Sequence, residues 1–255
     1  MSKIIVITSG KGGVGKTTTA INLGAAINFF GKDVLIIDAN LSTPNLGIHL
    51  NSPEVPVSLN HVLSKRAEPS EAVYEHESGI KIMPASLSVK ELRRITPEKL
   101  KDFKKDFENL ADYVIVDSAA GLGDEAVSAI HLSHELIVVT NPEMPAITNA
   151  LKTIKLAEQM KKKVIGAIIT RVKNDDIEMS SEIVREMLDT PILGMIPEDI
   201  AISKSLKLRD AVIHTHPNSK SARAYKEIAS GLINFKYDSK KDKPNFLRRF
   251  FRIGF

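Results

Sequence analysis

The stretch Lys3-Ile4-Ile5-Val6-Ile7-Thr8, followed at Gly10 by Gly10-Lys11-Gly12-Gly13-Val14-Gly15-Lys16-Thr17-Thr18, decides the fold. The first part is apolar enough to be a buried strand, and the residues from Lys16 onward have the apolar spacing of a helix. Between them Gly10, Gly15, Lys16 and Thr17 satisfy the spacing G-x-x-x-x-G-K-[ST], which takes its meaning from that strand-loop-helix context. Glycines at 10, 12, 13 and 15 let the backbone curl through positive φ, so that successive N–H groups, with those of Val14 and Thr18, converge on an anion. The helix that follows adds its positive end. Lys16 then reaches the β- and γ-phosphate oxygens, and the Thr17 hydroxyl is a hard oxygen ligand for Mg²⁺. The loop therefore implies a nucleoside triphosphate.

Outward from the loop, the chain alternates short apolar runs with helical patterns. Asp33-Val34-Leu35-Ile36-Ile37-Asp38 and Tyr113-Val114-Ile115-Val116-Asp117 are strands that end in a carboxylate, at the edge where open α/β sheets bind ligands. Leu136-Ile137-Val138-Val139-Thr140 is a further strand. The alternation predicts an α/β fold: a mostly parallel twisted sheet with helices on both faces. The first helix is expected over 16–30, burying a stripe of Ala20, Leu23, Gly24 and Ile27 and stopped by Gly31. Residues 41–56 read as a loop because Pro44, Pro53 and Pro56 break regular structure. Thr96-Pro97-Glu98 reads as a capped helix start running to about 110, and helical spacing recurs over 124–132, 148–160, 178–188 and 221–233. His131 and His134 stand a turn apart on a predicted helix without a third ligand, so packing or surface roles are expected of them.

Lys11 is a second lysine inside the loop, and cradling phosphate does not need it. Gly-Lys-Gly-Gly-Val-Gly-Lys-Thr-Thr resembles the deviant Walker A motif of the MinD/ParA family of P-loop ATPases. The resemblance runs in motif order over about 3–233. Asp38 matches the carboxylate of switch I, Asp117-Ser118-Ala119-Ala120-Gly121 resembles Walker B and switch II, and Leu136 to Glu143 ends in a similar Thr-Asn-Pro-Glu turn. Ile168-Ile169-Thr170-Arg171 and Gly194-Met195-Ile196-Pro197-Glu198-Asp199 look like the segments around the base. The resemblance implies ATP and Mg²⁺ as cofactors, with Thr17, Asp38 and Asp117 on the metal. It puts Gly121, Asn141, Arg171 and Pro197 on the nucleotide, the last three around the adenine. It also implies an ATP-induced homodimer in which Lys11 crosses to the partner's phosphates, stabilising charge that develops in phosphoryl transfer. Lys16, Asp38 and residue 40 complete the catalytic set.

At residue 40 the sequence departs from the family: Asp38-Ala39-Asn40 stands where many members have Asp-x-Asp. An amide hydrogen-bonds a water but does not accept its proton at neutral pH. Phosphoryl transfer rests mostly on positioning and electrostatics, so slow hydrolysis is expected rather than none. Ala119, where proline is common, affects only loop stiffness.

The 255 residues, 43% apolar, suffice for one sizeable α/β core. Cysteine is absent, which excludes disulfides, thiolate zinc sites and the cysteine-bridged cluster of some relatives. No apolar run approaches a membrane span, and the ATP site points to the cytoplasm. The end of the chain has a different character. After the expected ATPase domain of 1–235 comes a charged linker, 236–244, and then Asn245-Phe246-Leu247-Arg248-Arg249-Phe250-Phe251-Arg252-Ile253-Gly254-Phe255. On a helix, Phe246, Leu247, Phe250, Phe251 and Ile253 gather on one side and Arg248, Arg249 and Arg252 on the other; Phe255 adds a last apolar side chain. The last twenty residues carry a net +5 against +4 for the whole chain, so nucleic acid is an unlikely partner for the near-neutral remainder.

The tail reads as a basic amphipathic anchor for the anionic inner leaflet of the cell membrane, as MinD proteins carry; packing on its own domain and docking in a protein groove are the alternatives. A single anchor of this size binds marginally, and two on one dimer gain avidity. The resulting expectation is an ATP-dependent positioning switch with an activating or cargo protein partner, used in placing a division site, motility structure or chemosensory array. A static ATP-bound membrane scaffold and a DNA-partition ATPase are the rival readings.

Overall fold

The computed structural model describes residues 2–173 and 178–238. The amphipathic tail expected at 245–255 and most of the linker lie outside the described residues. Eight strands form one sheet in the order β3-β4-β2-β5-β1-β6-β7-β8. They are β1 (Lys3–Ser9), β2 (Val34–Ala39), β3 (Tyr74–Glu75), β4 (Lys81–Met83), β5 (Tyr113–Ala120), β6 (Glu135–Thr140), β7 (Lys163–Val172) and β8 (Ile192–Pro197). All pairings are parallel except that of the two-residue edge strand β3 with β4.

The central strands are buried on both faces, so they read as continuous apolar runs. Alternation along each strand then divides the core. Ile5, Ile7, Ile36 and Ile115 pack under α1 (Lys16–Phe29) and, further on in the chain, α10 (Val212–Thr215) and α11 (Lys220–Leu232). Ile4, Val6, Leu35, Ile37, Val114 and Val116 face the opposite way, toward α3 (Leu59–Leu63), α5 (Lys104–Glu108) and α6 (Asp124–Leu132). A smaller third cluster joins β6 and β7 to α7 (Met144–Gln159) and α8 (Ser181–Leu188).

Several local expectations change. The first helix ends where predicted, with Gly31 at φ 83° donating to the Asn28 carbonyl, but it buries far more than one stripe. It is sandwiched between the sheet and α11, so Ile21, Asn22, Ala25 and Ala26 are buried too. Asn22 is satisfied there by the Thr18 carbonyl at 2.8 Å and the Val212 N–H at 2.7 Å. The 41–56 segment is not all loop: α2 (Leu46–His49) forms between its prolines. The helix expected from 96 to 110 is a 3₁₀ run, Pro97–Phe103, followed by α5, and the Thr96 side chain makes no cap. The tighter winding aligns Leu100 and Phe103, three apart, toward α6. α7 starts at Met144, earlier than spacing suggested, with Pro145 in its first turn. His134 lies beyond the end of α6 rather than on it; its Nδ1 accepts from the Ile4 N–H at 3.0 Å and its Nε2 pairs with Glu108 at 3.0 Å.

At the far end of α1, Phe30 meets Phe235 and Tyr237 with ring centroids 4.8 and 5.3 Å away. This joins the last described segment to the helix that begins in the glycine-rich loop.

Candidate nucleotide site

The carboxyl ends of β1, β2 and β5 open into a cavity of about 790 Å³. One wall is the loop 10–18. Gly13 at φ 80° and Gly15 at φ 85° supply the left-handed turns that only glycine adopts easily. Gly15 stands as the cap of α1 with no side chain over it, leaving the first N–H groups of the helix directed at the loop. Gly10 is demanded by packing instead: a Cβ there would lie 2.2 Å from the Asn149 carbonyl oxygen of α7. Behind the loop, the Thr170 hydroxyl donates to the Val14 carbonyl at 2.6 Å and lies 3.2 Å from the Thr140 carbonyl, tying the loop to β6 and β7.

Lys16, buried, pairs with Asp117 at 2.7 Å, and the Thr17 hydroxyl donates to the other Asp117 oxygen at 2.6 Å. Asp38 is the register partner of Asp117 on β2. It accepts from the N–H groups of Asn40 at 3.1 Å, Asn45 at 3.0 Å and Leu46 at 2.9 Å. Burial, and then the neighbouring Asp117 charge, push its carboxyl up to about 7 against those hydrogen bonds. The hydroxyl of Thr17 and the two carboxylates form a set of hard oxygens that suits Mg²⁺.

The opposite wall is the segment after β2 with the turn after β5. Asn40 spends its side chain locally: Nδ2 donates to the Thr43 carbonyl at 2.6 Å and Oδ1 accepts from the Thr43 hydroxyl at 3.1 Å. Ser42 is bound through its N–H and its hydroxyl to Glu125 at the start of α6. His49 and Pro97 also line the cavity.

Gly12, Gly13, Gly15, Lys16, Thr17, Thr18, Asn40 and Arg171 are brought together on the cavity. Arg171 sits at φ 57°, where the pairing of β7 with β8 shifts register. Asn141 is buried behind the loop, 3.4 Å from the Thr170 hydroxyl. Gly121, at φ 84°, donates to the Ser9 carbonyl, and Pro197 ends β8; neither they nor Asn141 are on the cavity wall. Lys11 is also off that wall, half exposed, with its ammonium 3.7 Å from Glu143. Thr170 falls in a segment that resembles the family's base surround, but nothing in the sequence shows that its hydroxyl ties down the loop, and the Asn149 backbone that packs on Gly10 carries no motif at all. His49 was missed because nothing marked 46–49 as a helix.

Such a loop, with its lysine against a strand-end carboxylate in a parallel sheet, defines a P-loop nucleoside triphosphatase. A family model described as ParA, NUBPL iron-transfer P-loop NTPase, matches residues 1–233. The chain belongs to the MinD/ParA family of P-loop ATPases. It is 38% identical over 254 residues to an uncharacterized ATP-binding protein of Methanocaldococcus jannaschii, covering 99% of this chain and 96% of that one. It is 32% identical to the septum site-determining protein MinD of Thermotoga maritima, over 90% of this chain and 87% of the relative. The structure of MinD from Pyrococcus horikoshii complexed with Mg-ADP superposes with a TM-score of 0.87 at 31% identity, covering 91% of this chain and 96% of that one.

Proposed function

We propose that this ATPase is a MinD-type switch: it binds ATP with Mg²⁺ in the 790 Å³ cavity, closes as a homodimer across the nucleotide, and while dimeric holds to a membrane through residues 245–255. The observation that carries the reading is the pair of lysines in one loop. Lys16 is buried at Asp117 on the cavity, while Lys11 is half exposed outside it. One charge suits the chain's own nucleotide and the other a nucleotide held by a second copy.

In this reading Lys16 neutralises β- and γ-phosphate oxygens, the loop N–H groups hold them in place, and Thr17, Asp38 and Asp117 hold the metal. Magnesium held by these oxygens would neutralise phosphate charge in phosphoryl transfer. Asn141, Arg171 and Pro197 surround the base, and Gly121 joins the phosphate contacts. The Mg-ADP in the Pyrococcus MinD supports the ligand. Asn40 in place of a carboxylate makes hydrolysis slow, and Asn40→Asp raises the steady-state rate of phosphate release. An Asp variant no faster than the parent would show that position 40 takes no part.

The membrane step is tested by sedimentation with anionic liposomes. ATP with Mg²⁺ brings down the full chain, ADP brings down less, and a chain ending before Pro244 stays in the supernatant. Equal pelleting in all three refutes the reading. The local use of both ends of the Asn40 side chain supports a second reading, a membrane scaffold that binds ATP and dimerises without turnover, recruiting an activating or cargo protein. Phosphate release above the buffer blank excludes it.

A further inference from the structure

The grip of the loop 10–18 on an anion depends on which way its peptide groups face, and one of them is held from outside the loop. The Thr170 hydroxyl, buried near the end of β7, donates to the Val14 carbonyl at 2.6 Å. A trans peptide is planar, with its C=O and N–H on opposite sides. Drawing the Val14 carbonyl back toward β7 therefore turns the N–H of Gly15 the other way, to the cavity that Gly15 lines. Gly15 does not fix this orientation by itself. It sits at φ 85°, and glycine populates either sign of φ, so nothing in its own backbone resists a flip of the Val14–Gly15 peptide. Thr170 is what stands behind it: the atoms nearest to where a Cβ on Gly15 would lie are Oγ1, Cβ and Cγ2 of Thr170, at 3.8 to 3.9 Å.

The hydroxyl has one proton and several acceptors. The Thr140 carbonyl at 3.2 Å and Asn141 Oδ1 at 3.4 Å also face it, and the shortest contact, to Val14, takes the proton. Without that donor the carbonyl of buried Val14 is left unpaired, a cost that turning the peptide over relieves.

We propose that Thr170 is a positioning residue of the phosphate site: its hydroxyl holds the Val14–Gly15 peptide so that the Gly15 N–H faces the triphosphate. This rests on the nucleotide-binding reading above. Thr170 touches the loop from behind and acts on the ligand through Gly15.

The full chain is compared with Thr170→Val, which keeps the shape and removes the donor, and with Thr170→Ser, which keeps the donor. Affinity for a non-hydrolysable ATP analogue with Mg²⁺ falls by about tenfold in Thr170→Val, the scale of one hydrogen bond left unmade, and stays within about threefold in Thr170→Ser. In chains labelled with ¹⁵N-glycine, the saturating analogue moves the Gly15 amide proton downfield in the parent and in Thr170→Ser, the mark of a donated hydrogen bond, and much less in Thr170→Val. The Gly31 resonance, at the far end of α1, is the same in all three chains. If Thr170→Val does not fold, Thr170→Ala takes its place in each comparison.

Unchanged affinity in Thr170→Val overturns the assignment. So does a Thr170→Ser chain as weak as Thr170→Val, which makes the methyl group and not the hydroxyl the active part. A Gly15 amide that follows the analogue in Thr170→Val as it does in the parent overturns it too, and so does a Gly31 resonance displaced along with Gly15, which marks a general rearrangement. A parent chain that binds no nucleotide sinks the functional reading itself.

Discussion

The two walls of the cavity are fastened in opposite ways. The loop 10–18 is held from behind by buried contacts: the Thr170 hydroxyl on Val14, the α7 backbone against Gly10, and Lys16 against Asp117. The segment 40–45 is pinned at its two ends by Asp38, and between them its ties are exposed polar side chains, Asn40 on Thr43 and Ser42 on Glu125. Buried hydrogen bonds and ion pairs are costly to break because the groups left behind lose water as well as partner, whereas exposed ones exchange with water at little cost. One wall is therefore built to stay, and the other to rearrange around what enters.

Lys16→Ala tests the fixed wall most severely. Deleting a charged hydrogen-bond donor lowers ATP affinity by about 100-fold, read by nucleotide titration. Asp38 lies where the walls meet, and its carboxyl, raised by burial and Asp117 to about 7, holds its proton more tightly in the folded chain than in the unfolded one. Its contribution to stability is full below the ordinary carboxylate value and is lost as pH rises through about 7. Urea midpoints of the chain without nucleotide thus fall with pH over that window. Asp38→Asn flattens the slope, and an unchanged slope places the proton elsewhere. Gly10→Ala forces the loop from α7 and costs about 1–3 kcal/mol in urea unfolding, the range for overpacking, with weaker ATP binding beside it. Ser42→Ala on the other wall changes stability by no more than about 0.5 kcal/mol. A loss there as large as that of Gly10→Ala would erase the distinction.

Much of this was legible in the sequence because it depends on short-range rules. A strand buried on both faces must be apolar throughout, so β1, β2, β5 and β6 stood out, and the glycines with Lys16 and Thr17 could be read as one loop. The family and the mostly parallel sheet followed from the order of those segments. Less legible were features decided by long-range packing. α1 shows one apolar stripe in sequence but is covered on further sides by α11, and the tighter winding of 97–103 answers to α6. α2 is four residues long, too short for any periodicity, and its position depends on two N–H groups reaching back to Asp38. The site residues divide along the same line. Lys16, Thr17 and Asp117 converge as their motifs suggested, whereas Thr170 and His49 matter through neighbours 156 residues distant in one case and a cavity wall in the other.

The ring contacts of Phe30 with Phe235 and Tyr237 have a mechanical consequence. Residues 235 and 237 are moored at the base of a helix whose 14 residues, about 21 Å of rise, separate them from the glycine-rich loop. Residues 235–237 are thus tied to the end of α1 remote from the glycine-rich loop, so a load on them enters the molecule a helix length away from that loop.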